Sequence, residues 1–537
     1  FSAQIFLPTT TANMSLTKAS IALGAIPAYL IYKILRGMFS PAHALPGPES
    51  PSWFWGNLKQ IMDDNDSGLV ERWVKKHGRT MKWNTFLAIR HFYSHPDIYQ
   101  KPESVRFSLS RVVGPGVLVT DGDAHRKQRK IMNPAFGMPQ IRHLTPIFLS
   151  KALELRDAWV SQVNTASTDG VEVEVLSWLG KAALDIIGLA GFNHDIGSLH
   201  SASEESLSPS NELVSILNNS VTANSQITLG RFLQIRYPAL RPFLEYLDKG
   251  LLANQRKMNC VGRALLNDAK AELSDSGHDT RKDLLSLLVK ANTSKDVAEK
   301  DKMSEEEVIA QVPTFLVAGH ETTSTAVAWA LLSLSQHPHV QARLRQEALA
   351  VSTDQPSMDE LNGLPYLDCV VRETLRLHSP VPNTNRLAEQ DDVVPLETPY
   401  KDRYGKVHNV LHIKKGQAVI LPILAPNRDS EIWGPDAMEF VPERWGNRKA
   451  GLQSPLAGVW GDMLTFLGGS HSCIGFRFAL IEMKAMIFTL IRTFEFDLAV
   501  LAEEMGQRAN MIVMQPVELK GGDGGNRCPL KIRLCEG

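Results

Sequence analysis

Residues 304–338, SEEEVIAQVPTFLVAGHETTSTAVAWALLSLSQHP, constrain the fold more than any other stretch. Ser304 and Glu307 stand at capping-box spacing, and Pro338 supplies a stop. About 32 residues at about 1.5 Å each predict a helix roughly 48 Å long, enough to span a whole core. Its middle is almost entirely apolar or small, which implies burial on most sides. The polar tetrad from His320 to Thr323 is then costly unless each group finds a partner.

A body large enough to bury such a helix is available. Of the 537 residues, 43% are hydrophobic and 21% charged, an ordinary globular composition that excludes global disorder. One domain per roughly 150 residues would give three or four domains. Yet no repeat, low-complexity tract or linker interrupts the sequence beyond residue 52, so a single large catalytic unit over 53–537 is the simplest organisation. With 57 basic against 58 acidic residues, nothing at whole-chain level points to nucleic acid. Five cysteines, without a C-x-x-C pair, suit a reducing compartment and free thiols.

The N-terminal region reads differently. A tail over 1–18 precedes an uncharged apolar run from Ala19 to Tyr32, followed by Lys33 and Arg36; 19–35 is expected to be a membrane anchor if Lys33 snorkels. More basic charge follows the run than precedes it, which places the bulk of the chain on the cytosolic side. The rival is a cleaved signal peptide ending near Ala42–Ala44. Four prolines and a glycine in SPAHALPGPESPSW then predict a rigid hinge over 36–52.

Further helices are predicted over LPYLDCVVRETLRLHSP and from just after Cys473 through FALIEMKAMIFTLIRTF. Strand patterns occur in NVLHIKKGQAVIL, and VELKGGDGGNRCPLKIRL reads as a hairpin around a glycine turn. NDAKAELSDSGHDTRKD and VKANTSKDVAEKDKMSEEE read as exposed connections. The fold class is mainly α with small β-sheets.

Cys473 sits in the glycine-rich stretch FLGGSHSCIGFRFALIE, at the mouth of a helix. A phosphate cradle is excluded, since no lysine and hydroxyl close the loop. Three readings stay open: a nucleophile assisted by His471, a metal-ligating thiolate with amides directed at its sulfur, and a buried structural cysteine. Elsewhere, Glu373 and Arg376 share a helix face, and Arg444 in FVPERWG is a second arginine for the same carboxylate. Alone, such pairs are usually solvated. Ala318 and Gly319 remove bulk beside Glu321 and Thr322, so an acid and a hydroxyl could relay protons there; alternatively the threonines bond back to carbonyls one turn earlier. His125 and Arg129 stand one turn apart, interleaved with Arg126, Lys127 and Lys130, which could hold an anionic group or form a solvated face.

Together these motifs resemble the cytochromes P450, the haem-thiolate monooxygenases. FLGGSHSCIG is similar to their cysteine loop, AGHETT to their oxygen-activating notch, ETLR to their E-x-x-R pair and FVPERW to the segment that completes it, all in the family's order. The resemblance implies a P450 fold with haem b held between the long central helix and the cysteine-loop helix. It makes Cys473 the axial ligand of the haem iron, with Gly475 at the ring, Phe466 shielding the sulfur, and Ala318 and Gly319 lining the opposite side. Glu321 and Thr322 become the acid and alcohol that deliver protons to dioxygen, with Thr323 as a secondary candidate. Glu373, Arg376 and Arg444 become a structural triad, while His125, Arg129, Arg386 and His471 hold the haem propionates. Much of the family has Trp at the first of these positions and Arg at the last, and His is frequent where Asn427 stands.

The implied activity is insertion of one oxygen atom of O2 into a lipophilic substrate. Electrons come from NADPH through a separate reductase, with cytochrome b5 as a further donor, because this chain has no dinucleotide-binding glycine fingerprint. Arg126, Lys127, Lys130 and Arg477 are the candidate docking cations. The resemblance runs closest to fungal members, which suggests terpenoid or other secondary metabolism at the endoplasmic reticulum membrane. A haem-thiolate isomerase or dehydratase, and a membrane-tethered haem-binding protein without turnover, are the alternatives.

Overall fold

The computed structural model describes residues 86–535, apart from 166–169, 201–228, 276–281, 403, 447–455, 457, 511 and 521–525, together with Pro48, Arg72, Trp73 and Lys76. The N-terminal tail, the apolar run at 19–35 and, Pro48 apart, the proline-rich hinge lie outside the described residues.

The main elements begin with α1 (Phe86–Ser94), β1 (Tyr99–Gln100), α2 (Glu103–Val113), α3 (Gly122–Met132) and α4 (Met138–Thr165). β2 (Val171–Glu174) feeds α5 (Val175–Phe192), and α6 (Lys249–Asp275) and α7 (Leu284–Thr293) lead to α8 (Glu305–Ile309) and α9 (Gln311–Gln336). After α10 (Pro338–Leu349) and α11 (Pro365–Leu377) come β3 (Asn383–Ala388), β4 (Asp392–Lys401), β5 (Val407–Ile413) and β6 (Ala418–Pro422). α12 (Phe476–Thr493) and the strands β7 (Phe494–Leu498), β8 (Met505–Asn510), β9 (Val513–Glu518) and β10 (Pro529–Leu534) follow, with short helical turns between. Helix dominates, and the strands form four small antiparallel sheets: β1-β3-β6, β2-β10-β7, β4-β5 and β8-β9.

The capping box of Ser304 and Glu307 is formed, but the long helix is two pieces. Pro313 has no N–H for the carbonyl of Ile309 and its ring crowds that carbonyl, so the chain turns at Ala310 before α9 starts. The Gln311 side chain repairs the junction by donating to the Glu307 carbonyl (2.8 Å) and accepting from the Val117 amide (3.1 Å). Pro338 both ends α9 and opens α10, where a missing N–H costs nothing.

Around α9 pack α5, α11 and α12, with α4 against α5 and α12. Among the described helices, α5 alone is long and apolar enough to cross a membrane, and it is a buried core helix. α6 runs on to Asp275 through a stretch read from sequence as a loop, because Leu265, Leu266 and Ala269 place a buried stripe on it.

The expected C-terminal hairpin is not made. β9 pairs with β8, whereas β10 lies between β2 and β7, where Leu530 meets Val173 and Ile532 meets Phe496, all buried. A glycine turn permits reversal, but burial of alternate side chains selects the partner strand.

Candidate functional site

Along α9, nearly every side chain from Gln311 to Ser335 is buried, yet Ala318 is exposed and Thr322, one turn on, is half-buried. This stripe borders an internal cleft. The Thr322 hydroxyl donates to the Ala318 carbonyl at 2.7 Å, the bonding-back geometry, which leaves its oxygen lone pairs for a donor in the cleft. His320 Nδ1 bonds the Leu316 carbonyl (2.8 Å), and Glu321 Oε1 accepts from Asn510 Nδ2 of β8 (2.7 Å). Burial pushes the Glu321 acid up to about 7, against the pull of that amide, so it exchanges a proton near neutral pH.

Two residues of the notch are placed differently from the sequence expectation. A Cβ on Gly319 would lie 3.0 Å from Ile187 Cγ1, so the missing side chain there serves close approach of α5 as well as openness. Thr323 is only 3% exposed and turns from the stripe toward Glu482 of α12.

Cys473 lies deep in the molecule yet keeps exposed surface, so it too borders an internal cleft. Its loop is pinned by a hydrogen bond from the Cys473 amide to the Phe466 carbonyl (2.9 Å). Gly469 has φ of +69°, and a Cβ there would sit 2.6 Å from the Tyr93 carbonyl oxygen, so glycine is required by the protein itself. Burial raises the Cys473 thiol, while the Gly475 backbone N–H directed at it and the Arg129 guanidinium favour the thiolate. Phe466 packs edge-on against Trp460 and obliquely on Phe476, with centroids 5.7 and 6.0 Å away. At Gly475 the nearest atom to a Cβ would be Phe136 Cε1, at 3.8 Å.

Glu373, Arg376 and Arg444 come together in the core. The Glu373 carboxylate accepts from Arg376 Nε and Nη2 (2.9 and 2.8 Å), Arg444 Nε (3.0 Å), the Val441 amide (3.0 Å) and Trp445 Nε1 (2.9 Å). Arg376 also reaches the carbonyls of Asn427, Ala437 and Glu439, so one ion pair ties α11 to the segments that follow β6. Asn427 donates to Ser379 and Thr465 and accepts from the Leu464 amide, which shows why an amide serves at that position.

Lys101, Asp121, His125, Arg129, Arg386 and His471 form a third cluster. The rings of His125 and His471 stack with centroids 4.1 Å apart and 11° between planes. His471 Nε2 meets Asp121 Oδ1 at 3.0 Å, Lys101 Nζ meets the same oxygen at 3.1 Å, and Arg129 Nη1 donates to the Ser472 carbonyl at 2.9 Å. Arg386, 3% exposed, donates to Thr384 Oγ1 and the Asn385 carbonyl. Burial pushes Asp121 up, but bonds from His471 and Lys101 outweigh it and bring the acid down to about 2. Burial, with His471, Lys101 and Arg129 nearby, drives His125 down to about 3.

A family model for cytochrome P450 matches residues 46–520. Cytochrome P450 monooxygenase 205 of Postia placenta is 41% identical over 542 residues, covering 98% of both chains. This chain belongs to the cytochrome P450 family. Cytochrome P450 monooxygenase 128 of the same fungus is also 41% identical, over 96% of this chain and 97% of the relative. Cytochrome P450 monooxygenase claP of Ampulloclitocybe clavipes is 34% identical over 94% and 95%. Haem and dioxygen use follow from membership.

The residues present fit a P450 haem. No group of three or more His, Cys, Asp or Glu among the described residues could hold a bare metal ion, so a lone accessible thiol suits a metal whose other ligands come from a macrocycle. The third cluster carries three fixed cations against one carboxylate, an excess suited to propionates. Sequence reasoning missed Lys101, Asp121 and Asn510; their only signal was charge or polarity, and their partners lie up to 350 residues away. It also passed over Glu482, the last residue of the cysteine stretch. Of the proposed docking cations of this P450, Arg126 pairs with Asp97 and Asp123, Lys127 with Glu307 and Lys130 with Asp301, whereas Arg477 is exposed over the Phe476 ring.

Proposed function

We propose that this P450 inserts one oxygen atom of O2 into a lipophilic substrate, with electrons supplied from NADPH by a separate reductase and haem held through Cys473. The observation that carries the reading is the accessible stripe on α9, where a hydroxyl with free lone pairs stands beside an acid poised near neutrality. When bound, haem supplies the reductive activation of dioxygen. Glu321 holds the proton, Asn510 orients its carboxyl, and Thr322 accepts and passes the proton at its hydroxyl. The Gly475 amide and Arg129 draw Cys473 toward the thiolate against the rise that burial imposes, and ligation by the iron would complete the deprotonation. His125, Arg129, Arg386 and His471 are the propionate-side residues, and Glu373, Arg376 and Arg444 hold the fold behind the site.

An isomerase or dehydratase would not need the Glu321–Thr322 pair, so its presence favours oxygen insertion. Ion pairs as exposed as that of Arg126 are weakly held, so such cations exchange readily onto the carboxylates of a reductase or cytochrome b5. The apolar run at 19–35 and the basic residues after it support an endoplasmic reticulum anchor with the catalytic unit in the cytosol, and likeness to fungal P450 monooxygenases is the basis on which we assign the chain to secondary metabolism.

The test is the ferrous carbon monoxide difference spectrum beside Cys473→Ala. A strongly red-shifted Soret band lost in the variant supports the reading; the same band in both refutes it. Thr322→Ala is expected to keep the haem and the band but divert reductase electrons to hydrogen peroxide, and full coupling in that variant would remove Thr322 from the relay.

A further inference from the structure

We propose that Lys101 and Asp121 belong to the cofactor-carboxylate site: Lys101 is a third fixed cation for the two carboxylates of the bound haem, and Asp121 is the positioning residue that holds Lys101 and His471. This rests on the haem-thiolate reading above.

The backbone places Lys101 there. β1 pairs antiparallel with β3, with Gln100 opposite Leu387, so the next residue in the same register sets Lys101 beside Arg386. Two like charges brought together out of water repel strongly, and such a juxtaposition persists only where anions compensate it. Lys101 keeps 12% of its side-chain surface, Asp121 3% and His471 8%.

Asp121 occupies the N-cap position of α3 but makes no side-chain cap bond. Its oxygens go elsewhere: Oδ1 to Lys101 Nζ and His471 Nε2, and Oδ2 to the Lys101 backbone N–H (3.0 Å). Lys101 Nζ also donates to the Thr120 carbonyl (2.9 Å). A residue given over to helix capping would hold its own amides, so this carboxylate is committed to orienting a cation and an imidazole. His471 Nδ1 is in turn within 3.2 Å of Ser470 Oγ, so both ring nitrogens have protein partners and the ring is fixed in place.

The cluster carries an excess of positive charge. Lys101, with Arg106 and Arg386 near it, is paired with Asp121, and among the described residues neither Arg129 nor Arg386 has a carboxylate within ion-pair distance. Two propionates would offset that excess. Without Lys101, Asp121 would offset one of the arginines instead and weaken the site for an anion.

The experiment follows haem transfer from the ferric holoenzyme to excess apomyoglobin by the Soret change, for wild type, Lys101→Met, Lys101→Arg, Asp121→Asn, the Lys101→Met/Asp121→Asn double variant and a control at an exposed lysine, Lys300→Met. Lys101→Met is expected to lose haem about tenfold faster or more, as for a lost charge-assisted contact. Its carbon monoxide band stays in place, because Cys473 is untouched. Lys101→Arg and Lys300→Met lose haem at close to the wild-type rate. Asp121→Asn accelerates loss, and the double variant falls short of the product of the two single effects, because Asp121 acts partly through Lys101. Equal rates for Lys101→Met and Lys101→Arg, or a fully multiplicative double variant, overturn the proposal. Where Lys101→Met does not accumulate, Lys101→Gln is compared with Lys101→Arg in the same assay. If the wild-type chain binds no haem, or Cys473→Ala keeps the wild-type band, the haem-thiolate reading itself falls and the proposal falls with it.

Discussion

Glu373 of α11 and Glu482 of α12 are both within 1% of complete burial, and the protein treats them in opposite ways. Five N–H donors converge on Glu373. Among the described residues neither oxygen of Glu482 accepts a well-formed hydrogen bond, and the Thr323 hydroxyl is the one neighbour that favours its charged form. Burial therefore pushes the Glu482 acid well up. Glu321 lies between them, with one donor, Asn510, and an acid at about 7. Depth does not decide what a buried carboxyl does; the number of donors aimed at it does. Many donors make a structural tie, one makes a proton exchanger, and without donors burial alone pushes the acid up.

The comparison breaks most visibly at Glu373. Arg376→Ala removes two donors and leaves an undercompensated buried carboxylate, at an expected cost of about 3–5 kcal/mol, read as a lowered urea midpoint or failure to accumulate folded holoprotein. A cost under 1 kcal/mol would show that the cluster is not an energetic tie.

Glu321 gives the next largest effect, through pH. Its acid lies at about 7 folded against an ordinary 4.5, so the folded state binds the proton more tightly and gains stability at low pH. That advantage is lost as pH rises from about 4.5 to about 7, by on the order of 3 kcal/mol in total. Relative to Glu321→Gln, wild type is therefore expected to lose stability across that window and to change little above it. Parallel pH profiles for the two proteins would place the acid outside the buried notch.

Applying one substitution at both ends sharpens the contrast. Glu373→Gln turns an amide nitrogen toward an arginine donor and is expected to cost about 2–3 kcal/mol. Glu482→Gln replaces a carboxyl that accepts no well-formed hydrogen bond with an amide of the same shape and is expected to change stability by under about 1 kcal/mol. Equal costs at the two positions would mean that Glu482 is paired in solution.

Much of this was legible in one dimension because the interactions are local. The capping box at Ser304, the Glu373–Arg376 pair three residues apart and the single turn from His125 to Arg129 follow from helical geometry once the helix exists. The four motifs also sit in a family order that composition alone would not reveal. A short-range signal misled where distant partners outbid it, since β10 pairs with β2 and β7 rather than β9, whereas at Ala310 the local signal of Pro313 was passed over.

The sequence by itself determined the helical class, the thiol at a helix mouth and the acid beside a hydroxyl, because residue type and spacing along one helix suffice for those. Only the tertiary structure decided that Gly319 makes room for Ile187, that Asp121 holds His471 across 350 residues, and that among the described residues Glu482 accepts no well-formed hydrogen bond while Glu373 accepts five. The physical reason is that a carboxyl's charge and a glycine's purpose depend on which atoms of other segments arrive within about 3 Å, and packing of the whole chain sets those distances.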